Sequence, residues 1–281
     1  MEAIGIKNTV QTSEGTISVW DSQGEGIPVV CLHSNSACKE AFHQQFSALG
    51  HTFRFIAVDL PGHGMSENAK NPSIYSIPGY AQIIFEVIDA MKINRVVVLG
   101  WSLGGHIGIE MDQQQPTRLI GLCITGTPPI PFSQEGFNAG FRPIPVIQNL
   151  LGKEVFTIRE AQEFNRCGGI DLTTDHYLLD ATLRTHGLAR SHMLASLIRG
   201  EGNNQKQAVE KSTTPLLIIA GEKDEGVNND YLTQEVCYKN LWSGRVHIID
   251  GAGHATLLAR ADAFNGILSQ FLAEVSTPAK D

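Results

Sequence analysis

Gly100-Trp101-Ser102-Leu103-Gly104 lies between the apolar run Arg95–Leu99 and a helical pattern that starts at Leu103. A serine with glycines two residues away on each side, between a buried strand and a helix, is the sequence form of a nucleophile elbow. The turn forces the serine backbone into a strained conformation, and side chains at the flanking positions would collide where strand and helix meet. Gly105 and Gly108 extend the lean surface and let the helix lie close to its strand. With 28 glycines in the chain, a chance match to five residues is cheap. The strand before and the helix after are what give the motif weight.

Outward from the elbow, buried strands and amphipathic helices alternate. Ile17–Trp20 reads as an edge strand, and Pro28–Leu32, Phe53–Val58 and Leu119–Ile124 read as buried strands. Lys39–Leu49 and Ile77–Met91 have helical spacing, with Pro78 in the first turn of the second. This exchange is the pattern of a parallel sheet covered on both faces, an α/β fold. After Thr125-Gly126-Thr127-Pro128-Pro129 the alternation fails, and only helical patterns such as Glu160–Asn165, Asp175–Thr185 and Ser191–Ile198 follow. Strands resume at Pro215–Ala220 and Arg245–Ile249, with a helix near Asn229–Tyr238 and a closing helix from about Thr256 to Ala273. The expected organisation is a core over residues 1–129, a helical cap insertion over 130–209, and a second part of the core over 210–281.

Composition narrows the function. Hydrophobic residues at 42% and charged residues at 18% are too apolar a mixture for disorder. The net charge of −8 comes without a Lys/Arg run, which argues against nucleic acid or an anionic membrane as partner. Cys31, Cys38, Cys123, Cys167 and Cys237 are odd in number and scattered, which speaks against a disulfide framework and fits a reducing cytoplasm. The N-terminal stretch around Glu2 and Lys7 has no apolar signal core, and no segment reaches membrane-spanning length. Neither H-x-H-x-D-H nor H-E-x-x-H occurs, nor a P-loop or a Gly-x-Gly-x-x-Gly after a strand, so no metal and no cofactor is expected.

An elbow serine needs a base, and the base needs a carboxylate to hold its tautomer. In doubly wound enzymes with such an elbow these arrive in the order serine, acid, histidine, from loops after later strands. Gly221-Glu222-Lys223-Asp224-Glu225 and Gly251-Ala252-Gly253-His254 follow the two strands after the insertion. Asp224 is preferred over its neighbours Glu222 and Glu225 because its spacing from the tight turn fits; the choice among the three stays open to test. His254 alone among the ten histidines sits in a glycine loop just after the last strand. His63, in Pro61-Gly62-His63-Gly64, reads as structural, while His176, His186 and His192 are assigned to cap helices. The N–H of Leu103 at the helix start supplies one oxyanion donor, and the polar His33-Ser34-Asn35-Ser36 after an apolar strand supplies a second near Asn35. Phe132, Phe137, Phe141, Phe156, Phe164, Leu178 and Met193 give the insert enough apolar side chains to line an apolar pocket, although such residues more often form the insert's own core.

His33-Ser34-Asn35, Asp59-Leu60-Pro61-Gly62-His63-Gly64-Met65-Ser66, the elbow and Gly251-Ala252-Gly253-His254 together resemble the α/β-hydrolase superfamily over nearly the whole chain. The resemblance implies a mostly parallel eight-stranded sheet flanked by helices, with an inserted helical cap. A narrower resemblance, to the metal-independent N-acyl-homoserine-lactone lactonases that act in quorum quenching, is carried by four segments. These are Gly100 through Met111, Ile124-Thr125-Gly126-Thr127-Pro128-Pro129, Asn203-Asn204-Gln205 and Asn240-Leu241-Trp242. It implies lactone ring opening by Ser102, Asp224 and His254, an oxyanion bound by Asn35 and Leu103, and Trp101, Phe141 and Phe164 near the substrate. Two departures are visible: His33-Ser34-Asn35 replaces the family's His-Gly-Asn, and Phe164 stands where a cap tyrosine is expected. The partner is then a small-molecule ester or lactone, acted on by a cytoplasmic monomer or small homo-oligomer. A carboxylesterase for open-chain esters uses the same triad, and a ligand receptor on the same fold, without turnover, is the alternative from another class.

Overall fold

A strand covered on both faces shows no polar side to solvent, and the all-apolar runs accordingly become the centre of the sheet. The computed structural model describes residues 5–277; Glu2, used above in reading the N-terminus, lies outside them. In chain order the first part contains β1 (Ile6–Thr12), β2 (Gly15–Asp21), β3 (Pro28–Leu32), α1 (His43–Leu49), β4 (Arg54–Val58), α2 (Ile77–Ala90), β5 (Val96–Trp101), α3 (Leu103–Gln114) and β6 (Leu119–Thr125). Six helices follow: α4 (Gln134–Gly140), α5 (Pro145–Leu150), α6 (Ile158–Cys167), α7 (Tyr177–Arg184), α8 (Gly187–Ile198) and α9 (Gln205–Lys211). The chain closes with β7 (Leu216–Gly221), β8 (His247–Ile249), α10 (Thr256–Ala259) and α11 (Ala261–Ser276).

The eight strands are ordered β1-β2-β4-β3-β5-β6-β7-β8. β1 runs antiparallel to β2 and β2 antiparallel to β4, while every pairing from β4 to β8 is parallel. This is an α/β-hydrolase sheet, with β5 near its middle. Val30, Val98, Leu122 and Ile218 face one apolar layer with α2 and α3, and Val29, Val97, Cys123 and Leu217 face the other with α1 and α11. In a parallel sheet the carboxyl ends of the strands point the same way. The segments after β3, β5, β6, β7 and β8 therefore all emerge at one edge.

Local signals explain the main elements and their misreadings. Ser76 caps α2 through the Gly79 N–H, with Pro78 following, and Thr157 with Glu160 forms a capping box at α6. Each such cap is worth about 1 kcal/mol. β1 is an exposed outer strand whose Lys7, Asn8 and Gln11 remove the apolar alternation that marks a strand, so Ile17–Trp20 belongs to the second strand rather than to the edge. The span read as a helix near Asn229–Tyr238 contains only the π-helical turn Tyr231–Glu235, ended by extended Val236. The closing helix breaks at Arg260 (φ −136°, ψ 49°) into α10 and α11. Lys39–Leu49 opens with a 3-10 turn, Lys39–Phe42, before α1. His176 and His186 precede α7 and α8 at their N-caps, and only His192 lies within a cap helix.

Candidate active site

Ser102 joins β5 to α3 at φ 53° and ψ −112°, a conformation that L-residues rarely adopt. The neighbouring backbone holds it there. Its N–H donates to the Thr125 carbonyl at 2.8 Å, and its own carbonyl accepts from the Gly105 N–H and the Thr127 hydroxyl, both at 2.9 Å. The glycines have steric reasons: a Cβ on Gly104 would lie 1.9 Å from the Leu32 oxygen, and one on Gly100 would lie 2.4 Å from the Gly104 oxygen. Leu103 is the first residue of α3, so its N–H has no partner inside the helix and sits at the positive end of the helix dipole.

The loop after β7 buries Asp224, which is 3% exposed, while Glu222 and Glu225 stay exposed. One Asp224 oxygen accepts the N–H groups of Gly226 and Val227 at 2.9 and 3.0 Å, and the other accepts Nδ1–H of His254 at 2.8 Å. Glu222 instead accepts the Gly251 N–H at 2.8 Å. Burial opposes ionisation of Asp224, but the neighbouring His254 and the three donated hydrogen bonds outweigh it and lower its pKa. Burial likewise pulls His254 down, and the Asp224 charge with its hydrogen bond reverses the sign, raising the pKa above the ordinary value. An imidazole held through Nδ1 in this way has Nε2 left to take and return a proton.

Ser102 and His254 share a neighbour that the sequence did not single out for this purpose, the turn after β6. Gly126 (φ +62°) lies flat against the imidazole, and a Cβ there would come within 2.8 Å of the ring Cε1. The same turn takes the Ser102 N–H on Thr125, and the Thr125 hydroxyl meets that of Thr256 at 2.6 Å, tying β6 to the start of α10. The available signal was a glycine directly after a central parallel strand beside the elbow strand.

The loop after β3 is fixed from below and above. His33 is fully buried; its Nδ1–H donates to the Ser34 carbonyl and its Nε2 accepts the Leu60 N–H. His63 packs against it at 5.2 Å between ring centres and bonds the Pro61 carbonyl, a purely internal placement. The Asn35 side-chain amide donates to the Leu151 carbonyl, in the segment between β6 and β7, at 3.2 Å.

Trp101, Phe141 and Phe164, the three residues expected near the substrate, each have packing partners in the fold. Trp101 is 1% exposed, packs into the core and donates its indole N–H to the His254 carbonyl at 3.1 Å. It braces the histidine loop from within. Phe164 packs with Phe156 at 5.5 Å in a small core of the insert that includes Leu150 and Ala161. Phe141 packs beside Phe137 and His106, with its backbone bridged to Val227. Of the other apolar residues in the insert, Phe132 and Met193 join one main core layer and Leu178 the other. Among the described residues no group of three or more His, Cys, Asp or Glu side chains could hold a metal ion. No helix among them is long and apolar enough to cross a membrane.

The Alpha/beta hydrolase family model matches residues 29–267. Among curated relatives, the 2-hydroxy-6-oxononadienedioate/2-hydroxy-6-oxononatrienedioate hydrolase of Cupriavidus pinatubonensis is 28% identical, over 78% of this chain and 76% of its own. The pimeloyl-acyl-carrier-protein methyl ester esterase of Neisseria meningitidis is 25% identical, over 87% of this chain and 93% of its own. Among solved structures, the N-acyl homoserine lactonase AidH complexed with N-butanoyl homoserine is 37% identical with a TM-score of 0.91, covering 98% of this chain and 99% of that one.

Proposed function

Since the chain belongs to the α/β hydrolase family and is a hydrolase, we propose that it opens the lactone ring of N-acyl-homoserine lactones through Ser102, His254 and Asp224. The site's geometry supports ester chemistry in general. What favours a lactone over other esters is the likeness to AidH, which extends over 98% of this chain.

In this reading Ser102 Oγ attacks the lactone carbonyl as His254 Nε2 takes its proton, and the N–H groups of Leu103 and Asn35 face the developing oxyanion. The ring C–O bond then breaks, and His254 returns the proton to the departing homoserine oxygen. That hydroxyl stays tethered to the acyl group and is poised to close the ring again. Water activated by the same histidine must intercept the acyl-enzyme, releasing N-acyl-homoserine and free Ser102.

The substrate assignment is tested by turnover of a series of acyl-homoserine lactones beside p-nitrophenyl and methyl esters. The lactones are expected to give kcat/KM at least tenfold above the simple esters. Equal or slower turnover of the lactones would reassign the enzyme to open-chain esters.

The pH profile follows from the signs above. His254 acts as base only when neutral, so kcat/KM falls as pH drops through its folded pKa. Because that pKa is raised, the acid limb should have its midpoint above about pH 6.5, the ordinary histidine value. Without the Asp224 charge only burial remains, so in Asp224→Asn the midpoint should move to lower pH. A midpoint well below 6 in the unsubstituted enzyme would contradict the pairing.

A further inference from the structure

Arg190 on α8 is 1% exposed, and among the described residues its guanidinium donates only to neutral acceptors. Nε donates to the Lys153 carbonyl at 2.7 Å, Nη2 to the Glu154 carbonyl at 3.0 Å, and Nη1 to the Thr182 carbonyl and the Ser36 hydroxyl, both at 3.2 Å. Its guanidinium lies over the Phe156 ring at 4.3 Å. Burial pulls its pKa down to about 10, which still leaves it charged at neutral pH. A buried charge without a carboxylate is costly, and interior packing alone would be served by an apolar residue.

The bond that leaves the insert goes to Ser36. This residue holds φ +61°, and its hydroxyl, while accepting from Arg190, donates to the Asn35 side-chain oxygen at 3.3 Å. The Ser36 carbonyl accepts the Thr182 hydroxyl at 3.0 Å, and the Asn35 amide donates to Leu151. Residues 35 and 36 are thus gripped from the insert at three points, two of them on a strained residue. Arg190 organises that grip: it clamps the 153–154 turn that follows Leu151, the end of α7 that carries Thr182, and the Ser36 hydroxyl. A loop with positive φ at a non-glycine residue returns to ordinary backbone conformations when its holding bonds are lost.

We infer that Arg190 is a positioning residue for the oxyanion hole, acting through Ser36 to fix the direction of the Asn35 N–H. The inference rests on the serine-hydrolase reading above, in which Asn35 meets the oxyanion.

The test compares Arg190→Met, Arg190→Lys, Ser36→Ala and the double variant Arg190→Met/Ser36→Ala. The readouts are lactone kcat and KM, the rate of Ser102 labelling by a fluorophosphonate, and thermal melting. An oxyanion donor removed outright costs about 100-fold to 1000-fold in kcat, and a misaimed one somewhat less. Arg190→Met is therefore expected to lose about 30-fold to 100-fold in kcat with KM within threefold, and labelling should slow in parallel. Arg190→Lys, with one point donor in place of the fork, should fall between, and Ser36→Ala should lose about tenfold. The double variant should be no slower than Arg190→Met. Additive losses, or a kcat and KM that decline together with melting temperature, would overturn the inference by making Arg190 a packing residue. Where Arg190→Met does not fold, Ser36→Ala decides, because it removes only the relay hydroxyl: an unchanged kcat there overturns the inference. Retained turnover in Ser102→Ala would instead mark failure of the underlying reading.

Discussion

Ser102→Ala is expected to lower kcat by about a millionfold, the cost of removing the nucleophile from a triad that acts as a unit. A residual rate above that of water should persist, because oxyanion donors and binding contacts survive. The fold should not suffer. Alanine at φ 53° carries the same backbone strain as serine, and the bonds that hold the turn, to Thr125, Gly105 and Thr127, all use the Ser102 backbone. Melting within a few degrees of the unsubstituted protein, together with lost acid release in a pH-stat, is the expected pair of results. Unchanged turnover in a folded variant would remove Ser102 from the mechanism.

Asp224→Asn is expected to cost about 10⁴-fold in kcat by trapping the wrong histidine tautomer. The reason lies in the loop after β7. Gly226 and Val227 both direct N–H groups at one oxygen of the side chain, so an asparagine must keep its carbonyl there. Its NH₂ then faces His254 Nδ1 across the 2.8 Å now spanned by a proton from the ring. Two donors cannot bond, so the imidazole places its proton on Nε2 and is no longer a base toward Ser102. Glu222→Gln and Glu225→Gln should stay within about twofold, since both side chains are exposed and Glu222 engages only the Gly251 N–H and not the histidine. A large loss confined to either glutamate variant would move the acid role away from Asp224.

Much of this architecture is written in local patterns. The all-apolar strands, the elbow between strand and helix, the helical stretch before strands resume at β7, and glycine loops ahead of an acid and a histidine each depend on a few consecutive residues. The α/β-hydrolase fold follows from them, because period and turn chemistry decide buried strand against amphipathic helix. β1 shows no such pattern, because an outer strand facing solvent carries polar side chains and loses that period.

Partnership across long sequence separations was not legible. Among three acids within four residues, spacing from the tight turn favours Asp224; its burial and its hydrogen bond to His254, thirty residues on, set it apart from the two glutamates. The indole N–H of Trp101 donates to the His254 carbonyl, and Phe164 packs against Phe156 and Ala161, contacts that no short window of sequence specifies. No spacing rule connects Arg190 to Ser36, which lie 154 positions apart. The sequence by itself determined the alternation of buried strand and amphipathic helix and the glycine elbow between β5 and α3, since those are properties of short windows. Only the tertiary structure decided which glycine backs the His254 ring and which buried cation bonds the loop after β3. Those depend on distances that packing sets after the chain has folded.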